Sequence, residues 1–313
     1  MSAERVLVTG TGGPSGYSIL RAMADVDGIE LWSADIDPYS AGLYLVGADR
    51  RAIVPRGDDP GFVDALLGLA RRERVTVIVP TVDSELQPLA AARERYAEAG
   101  IALVLAQAST LAVCLDKWAL HERCAGTVRV PATWLVDASF PADEPALPVI
   151  VKPRSGSGSR GIRLVHHASE LRALPRDGTL LVQEHLPGAE YSLDVLARAD
   201  GHVAGVVPRE RLRVDSGIAI TGRTLRDEGL EGYGRAVAQL IGLTTVANVQ
   251  VKLDVDGEPA LLEVNPRFPG TMPLTIASGI DMPRLAIGEA LGRPIPDGPL
   301  PFAEIADLQE APK

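Results

Sequence analysis

Two cysteines in 313 residues, Cys114 and Cys124, are too few for a disulfide framework or a zinc site, and both fall in one helix-like stretch. Such scarcity fits the reducing cytoplasm. Long apolar runs are missing too: none approaches the roughly 20 residues of a membrane span. The start, Met1-Ser2-Ala3-Glu4-Arg5, lacks the charged-then-apolar layout of a secretion signal. The sequence therefore reads as soluble and untargeted, with no membrane partner. Basic residues are outnumbered, 31 Lys and Arg against 41 Asp and Glu, for a formal charge of −10. Such a surface repels a phosphate backbone, so nucleic acid is not expected as a partner. The five histidines, His121, His166, His167, His185 and His202, show no metal-ligand spacing. Aromatic residues make up only 4% of the chain, yet 46% is hydrophobic, enough for one large or two to three small packed domains.

Short apolar runs alternate with helical patterns through the first hundred residues. Strands are predicted at Arg5–Thr9, Ile29–Ala34, Val75–Pro80 and Ile101–Leu105. Helices are predicted at Ser18–Ala24, Phe62–Arg72 and Glu85–Glu98. This alternation implies α/β architecture with a parallel sheet covered on both faces. A further helix is predicted at Leu111–Arg123, before Val130-Pro131-Ala132-Thr133 resets the chain to an extended path. Beyond it, strands are predicted at Val149–Pro153, Gly161–Val165, Leu180–Glu184, Glu190–Val195, Asn248–Lys252 and Leu262–Arg267, with a helix at Glu231–Ile241. A proline-rich, acidic tail runs from Arg293 to Lys313.

Chemistry concentrates in a few segments. Residues two apart on a strand share a face, so Glu263 and Asn265 present a carboxylate and an amide carbonyl side by side. Gln250, on a strand that can pair with theirs through the Asp254–Glu258 hairpin, adds a third oxygen. Hard oxygen donors of this kind suit Mg²⁺ shared with nucleotide phosphates. Arg267 then lies beside the ions as a phosphate clamp. Lys152 ends an apolar strand, where an ammonium needs a partner, and Ser155, Gly156, Gly158 and Gly161 belong to the Gly/Ser loop that follows; together they form a phosphate cradle. Glu184 and Glu190 flank a hinge able to offer backbone groups to an adenine edge and a carboxylate to a ribose. Arg209, Arg211, Arg213 and Arg223 surround the turn Asp215-Ser216-Gly217, and Arg209 is the candidate for binding an anion. Gly12, Thr81, Asp83 and Glu85 are candidate substrate contacts. A separate signal is the turn Gly10 to Gly16 with Asp35 after the second strand. It approximates a dinucleotide fingerprint, although Ser15 stands where the third glycine belongs and Pro14 intrudes. The turn equally suits a substrate carboxylate at a helix N-terminus. An NAD-dependent oxidoreductase is thus a second reading.

Taken in order, the Lys117 helix, Lys152 with its Gly/Ser loop, the Glu184 hinge, Glu190, Asn248-Val249-Gln250 and Leu262-Glu263-Val264-Asn265-Pro266-Arg267 resemble the ATP-grasp superfamily. The similarity is strongest to one synthetase unit of the carbamoyl phosphate synthase large chain. It implies an ATP-grasp fold, two α+β subdomains clamping ATP, preceded by a Rossmann-like domain with a parallel sheet. Expected boundaries are 1–110 and 111–313, with a flexible lid at roughly 130–186. The resemblance implies that Gln250, Glu263 and Asn265 hold two Mg²⁺ ions, for which Mn²⁺ can substitute, and that Lys117 and Lys152 bind phosphates. By the same resemblance Glu184, His185 and Leu186 contact adenine, Glu190 the ribose and Arg267 the transferring phosphoryl group, and Ser155 to Gly161 close over ATP. Only one synthetase unit is present, without a glutamine-handling segment, which favours a stand-alone ligase joining a small-molecule carboxylate to an amine through an acyl phosphate. Carboxylation and carbamoyl phosphate-type synthesis remain within the superfamily's range, and a homodimer is the assembly it suggests.

Overall fold

The computed structural model describes residues 3–156, 158, 160–215 and 217–304; Ser157, Ser159, Ser216 and the tail from residue 305 lie outside that set. Strands β1 (Glu4–Thr9), β2 (Ile29–Asp35), β3 (Arg51–Ile53), β4 (Val77–Val79) and β5 (Ala102–Leu103) form a sheet of order β3-β2-β1-β4-β5. All its pairings are parallel. Both faces are covered, which is why β1 reads as an unbroken apolar run. Val6 and Val8 pack with Ile19 and Met23 of α1 (Pro14–Met23), whereas Leu7 packs with Phe62 and Leu66 of α2 (Phe62–Arg72).

The predicted helix Glu85–Glu98 is two helices, α3 (Asp83–Ala91) and α4 (Arg93–Glu98), parting at Ala92, whose ψ of 8° leaves helical geometry. The predicted helix Leu111–Arg123 is likewise divided into α5 (Ala108–Cys114) and α6 (Lys117–Cys124). Asp116 is the cause: it turns extended and caps α6, accepting from the amides of Trp118 and Ala119 at 3.0 and 3.3 Å. The two cysteines therefore sit on separate helices.

A second sheet, order β6-β9-β7-β8, is built from β6 (Thr133–Leu135), β7 (Val149–Pro153), β8 (Arg163–Val165) and β9 (Leu180–Glu184), all antiparallel, with α7 (Ala168–Arg172) against it. A third antiparallel sheet, order β12-β11-β10-β13-β14, comprises β10 (Glu190–Ala197), β11 (Val203–Asp215), β12 (Ile218–Thr224), β13 (Val246–Leu253) and β14 (Pro259–Asn265). Helix α8 (Glu228–Leu240) covers one of its faces through Leu230 and Val237, packed on Leu193, Val195, Val249 and Val251. The arginine-rich segment after Val206, placed from sequence around the turn at 215–217, is the hairpin β11–β12. Its arginines at 209 and 211 are tolerated on a strand because Asp194 and Glu190 of β10 neutralise them. Helices α9 (Met272–Ala277) and α10 (Met282–Ala290) return the chain to α1. No helix among the described residues is long and apolar enough to cross a membrane.

Candidate active site

The second and third sheets face one another across a cavity of about 300 Å³. Strand alternation decides what enters it. On β7, Val149 and Val151 go to the core beneath the second sheet, so Ile150 and Lys152 turn to the cavity. On β13, Val249 and Val251 pack on α8 and Gln250 turns the other way. Glu263 lies directly opposite Gln250 in the antiparallel register, and Asn265 opposite Asn248. A bulge at Leu262 lets Leu261 join the α8 core while Glu263 still points into the cavity.

Lys152 is 5% exposed and donates to Gln183 Oε1 at 2.8 Å and to the carbonyl of the bulged Leu262 at 3.3 Å. Burial pushes its pKa down to about 8; the Glu263 carboxylate opposes that drop and Lys117 adds to it. A buried cation with so few acceptors is fitted to an anion arriving in the cavity. Lys117, the first residue of α6, donates to the carbonyl of Gly156 at 2.7 Å, closing the Gly/Ser loop onto the helix and leaving two further ammonium protons. Ser155, Gly156 and Gly158 line the cavity. Gly161 is not in its wall. Its φ of +76° and the closeness of Pro153, 3.0 Å from where a Cβ would sit, mark it as a turning point of the loop. Ser157 and Ser159, expected to close over ATP, lie outside the described residues.

Glu184, His185, Leu186 and Glu190 all line the cavity. The Glu184 carboxylate is bound by Arg129 at 2.9 and 3.1 Å and by the amide of Ala132, so the hinge offers its backbone and not this acid. Glu190 pairs with Arg211 Nε at 2.9 Å. Arg211, a cavity-lining residue, also bonds Ser192 and the carbonyl of Gly217. Arg209, chosen from sequence to bind an anion, is corrected: it is 1% exposed and held by the buried Asp194 at 2.9 and 2.7 Å, outside the cavity wall. Sequence alternation places 209 and 211 on one face, and only the pairing of β11 with Asp194 separates their roles.

Among the described residues no cluster of three or more His, Cys, Asp and Glu side chains could hold a metal. One carboxylate and one amide, Glu263 and Gln250, line this cavity, whereas Asn265 lines a second one that Glu263 also reaches; among the described residues Glu263 takes a long 3.3 Å bond from Asn265 Nδ2. That sparse, hard donor set fits Mg²⁺ whose shell is completed by phosphates and water.

A second cavity, about 470 Å³, adjoins the first and shares Lys117, Ser155, Gly156 and Glu263 with it. Asp83, Ser84 and Gln87 of α3 form its far wall. Asp83 also grips Arg267, Nε to Oδ1 at 2.6 Å. Thr81 and Gly12 line neither cavity: the Thr81 hydroxyl donates to the Thr9 carbonyl at 2.7 Å, and the Gly12 amide donates to Asp35 Oδ2 at 2.6 Å. That last bond ties Asp35, the acid of the dinucleotide reading, to the turn itself. Glu85 is buried beneath the turn, bonded to the Thr9 hydroxyl at 2.6 Å, and burial pushes its pKa up to about 7.

Two antiparallel sheets clamping a cavity, beside a parallel-sheet domain, are the layout of the ATP-grasp fold. The comparisons agree: residues 176–311 match the family described as ATP-grasp in the biosynthetic pathway with Ter operon, and residues 6–104 match the PylC-like N-terminal domain. Residues 176–311 thus carry an ATP-grasp match and residues 6–104 a PylC-like N-terminal domain. It is 28% identical over 291 residues to the carbamoyl phosphate synthase large chain of Thermus thermophilus, covering 85% of this chain and 27% of that protein. The chain thus spans about a quarter of the length of such relatives. In fold it is similar to biotin carboxylase of Campylobacter jejuni in complex with β-γ-ATP, with a TM-score of 0.77 at 19% identity over 93% of this chain and 72% of the other. It is also similar to the L-amino acid ligase of Bacillus licheniformis, with a TM-score of 0.72 at 17% identity over 93% and 75% of the two chains.

Proposed function

We propose that the protein is an ATP-dependent carboxylate–amine ligase working through an acyl phosphate. The observation that carries this reading is the cross-strand pair Gln250 and Glu263 on the same cavity as the buried Lys152. In it, the 300 Å³ cavity takes ATP and the adjoining 470 Å³ cavity takes the acid and the amine. The backbone of Glu184 to Leu186 meets the adenine edge, and Glu190 with Arg211 meets the ribose. Lys152 and Lys117 neutralise phosphate oxygens, and Arg267, held in place by Asp83, faces the transferring phosphoryl group. Gln250, Glu263 and Asn265 would hold divalent ions, which when bound offset charge on the triphosphate.

The γ-phosphoryl group passes from ATP to a carboxylate oxygen of the acid, releasing ADP. The amine nitrogen then attacks the acyl carbon, phosphate leaves with the C–O bonding pair, and the nitrogen loses a proton. Phosphoryl transfer of this kind needs charge neutralisation and alignment rather than a side-chain nucleophile. The Gly/Ser loop, closing over the nucleotide, keeps water from the acyl phosphate. The same proposal divides the chain near residue 110, with 130–186 as the lid, and takes the enzyme to be cytoplasmic and homodimeric, with two ions, Mg²⁺ or Mn²⁺, per site. Screening pools of acids and amines for ADP release tests it: release should require Mg²⁺ and both pools, and Glu263→Gln should lower it at least a hundredfold. Undiminished release by that variant would overturn the assignment.

A further inference from the structure

Below the nucleotide cavity, polar side chains are joined so that one arrangement of hydrogens satisfies them all. Asp194 is 0% exposed and, as a carboxylate beside a guanidinium, only accepts. It receives Arg209 Nε and Nη2 at 2.9 and 2.7 Å, the Thr275 hydroxyl, and Asn248 Nδ2 at 2.8 Å. Asn248 is 3% exposed. With its NH2 committed to Asp194, its Oδ1 turns the other way and accepts from Gln250 Nε2 at 3.4 Å. That bond leaves Gln250 Oε1, and not the amide nitrogen, for the cavity that Gln250 lines beside Glu263. The two ends of a glutamine amide are nearly equal in size, so an undirected Gln250 would offer either one, and only the oxygen can bind a cation. A buried ion pair such as Arg209–Asp194 is poor evidence of stabilisation in itself, whereas fixing one arrangement among several is a use it serves well.

Resting on the ion site of the proposed function, we infer that Asp194, held by Arg209 and Thr275, is a positioning residue that acts through Asn248 to aim the Gln250 carbonyl oxygen at the bound divalent ion. Partners behind a metal ligand typically govern about 10- to 100-fold of metal affinity.

The test is calorimetric titration of the full chain with ADP, in EDTA and in Mg²⁺, for the native protein, Asn248→Ala and Asn248→Ser, with bound Mn²⁺ counted by electron paramagnetic resonance. The serine variant guards against misfolding, since its hydroxyl can still donate to Asp194 but cannot also reach Gln250. In the native protein Mg²⁺ should tighten ADP binding. In both variants the metal-free ADP affinity should stay within about twofold while the tightening by Mg²⁺ falls about tenfold and Mn²⁺ occupancy drops with it. If Mg²⁺ tightens ADP equally in native protein and variants, the ion site stands and the positioning role is overturned. An equal loss of ADP affinity with and without metal would reduce Asn248 to a support of the cavity's shape, also overturning the role. Absence of any tightening in the native protein would remove the ion site, and the proposed function with it.

Discussion

Lys152→Met should separate stability from function in opposite directions. The ammonium is 5% exposed and its pKa falls from an ordinary 10.5 to about 8, chiefly through burial. At about 1.4 kcal/mol per factor of ten in proton affinity, holding that charge inside the protein costs about 3 kcal/mol. The sign follows from proton counting. Between pH 8 and 10.5 the unfolded chain binds more protons than the folded one, so stability rises with pH there, and below pH 8 the whole penalty is present. Methionine removes the charge but leaves Gln183 Oε1, on a residue 6% exposed, without its 2.8 Å donor. That orphaned acceptor costs about 1–3 kcal/mol. The balance at pH 7 is a nucleotide-free variant between equal to and about 2 kcal/mol more stable than the native protein, or up to several degrees in Tm. The advantage should shrink as pH rises through 8. MgADP, by contrast, should raise the Tm of the native protein and barely that of the variant, and native affinity for MgADP should decline above pH 8 as the amine loses its proton. Differential scanning calorimetry across pH 6.5–9.5 reads all of this. A variant less stable by 2 kcal/mol or more at pH 7, or one whose advantage grows with pH, would refute the account of Lys152 as a strained, anion-awaiting cation.

Asp116→Ala removes the cap of α6 and the partner of Arg154, whose Nη2 lies 2.6 Å from it. Urea unfolding should show a loss of about 1–2 kcal/mol, and the KM for ATP should rise several-fold because Lys117 and the Gly/Ser loop lose their anchor. Arg209→Leu leaves Asp194 charged and buried, so a loss of about 3–5 kcal/mol is expected, with partial recovery in the double variant Arg209→Leu/Asp194→Asn; normal stability with abolished turnover would instead return Arg209 to the reacting atoms. Gly16→Ala places a Cβ 2.8 Å from the Gly10 carbonyl oxygen and from Thr11 Cα. Because both neighbours are backbone, thermal melts should show a destabilisation of about 1–3 kcal/mol, with ADP affinity unchanged.

Where local periodicity and chemistry agreed, the sequence was readable. Phe62–Arg72 and Leu180–Glu184 have the bounds that their patterns imply, and the short hairpin pairs the strands of Gln250 and Glu263, although it takes the bulge at Leu262 to bring those two directly opposite. Three things escaped it. Asp116 ends one helix pattern and caps the next, and an acidic residue inside a helical run looks the same whether it caps or simply faces solvent. The strand character of Val203 to Thr224 was hidden because arginines spaced two apart look solvated until carboxylates from β10 come alongside. Gly12 and Thr81 were read as substrate contacts from turn chemistry, but the bonds that occupy them come from Asp35 and the Thr9 carbonyl, on strands paired only in the folded sheet. In the last two cases the deciding partner is distant in sequence.

The N-terminal sheet is more than an appendage to the nucleotide clamp. Val6, Val8, Ile19 and Met23 share one core with Leu196 and Val246 of the third sheet and with Phe268, Met272 and Ile287 beyond it. Phe268 is 1% exposed and adjoins Arg267, so the guanidinium is fixed from behind by that shared core and in front by Asp83 of α3. The same helix supplies Ser84 and Gln87 to the larger cavity, yet no residue of α3 lines the smaller one. The two cavities meet at Lys117, Ser155, Gly156 and Glu263, while Arg267 lines neither and reaches the larger one only through its ion pair with Asp83. On the proposed function, changes at Ser84 and Gln87 should alter which acid and amine are accepted and leave ATP binding unchanged, whereas a change at Asp83, which lines the same cavity and holds Arg267, should affect both.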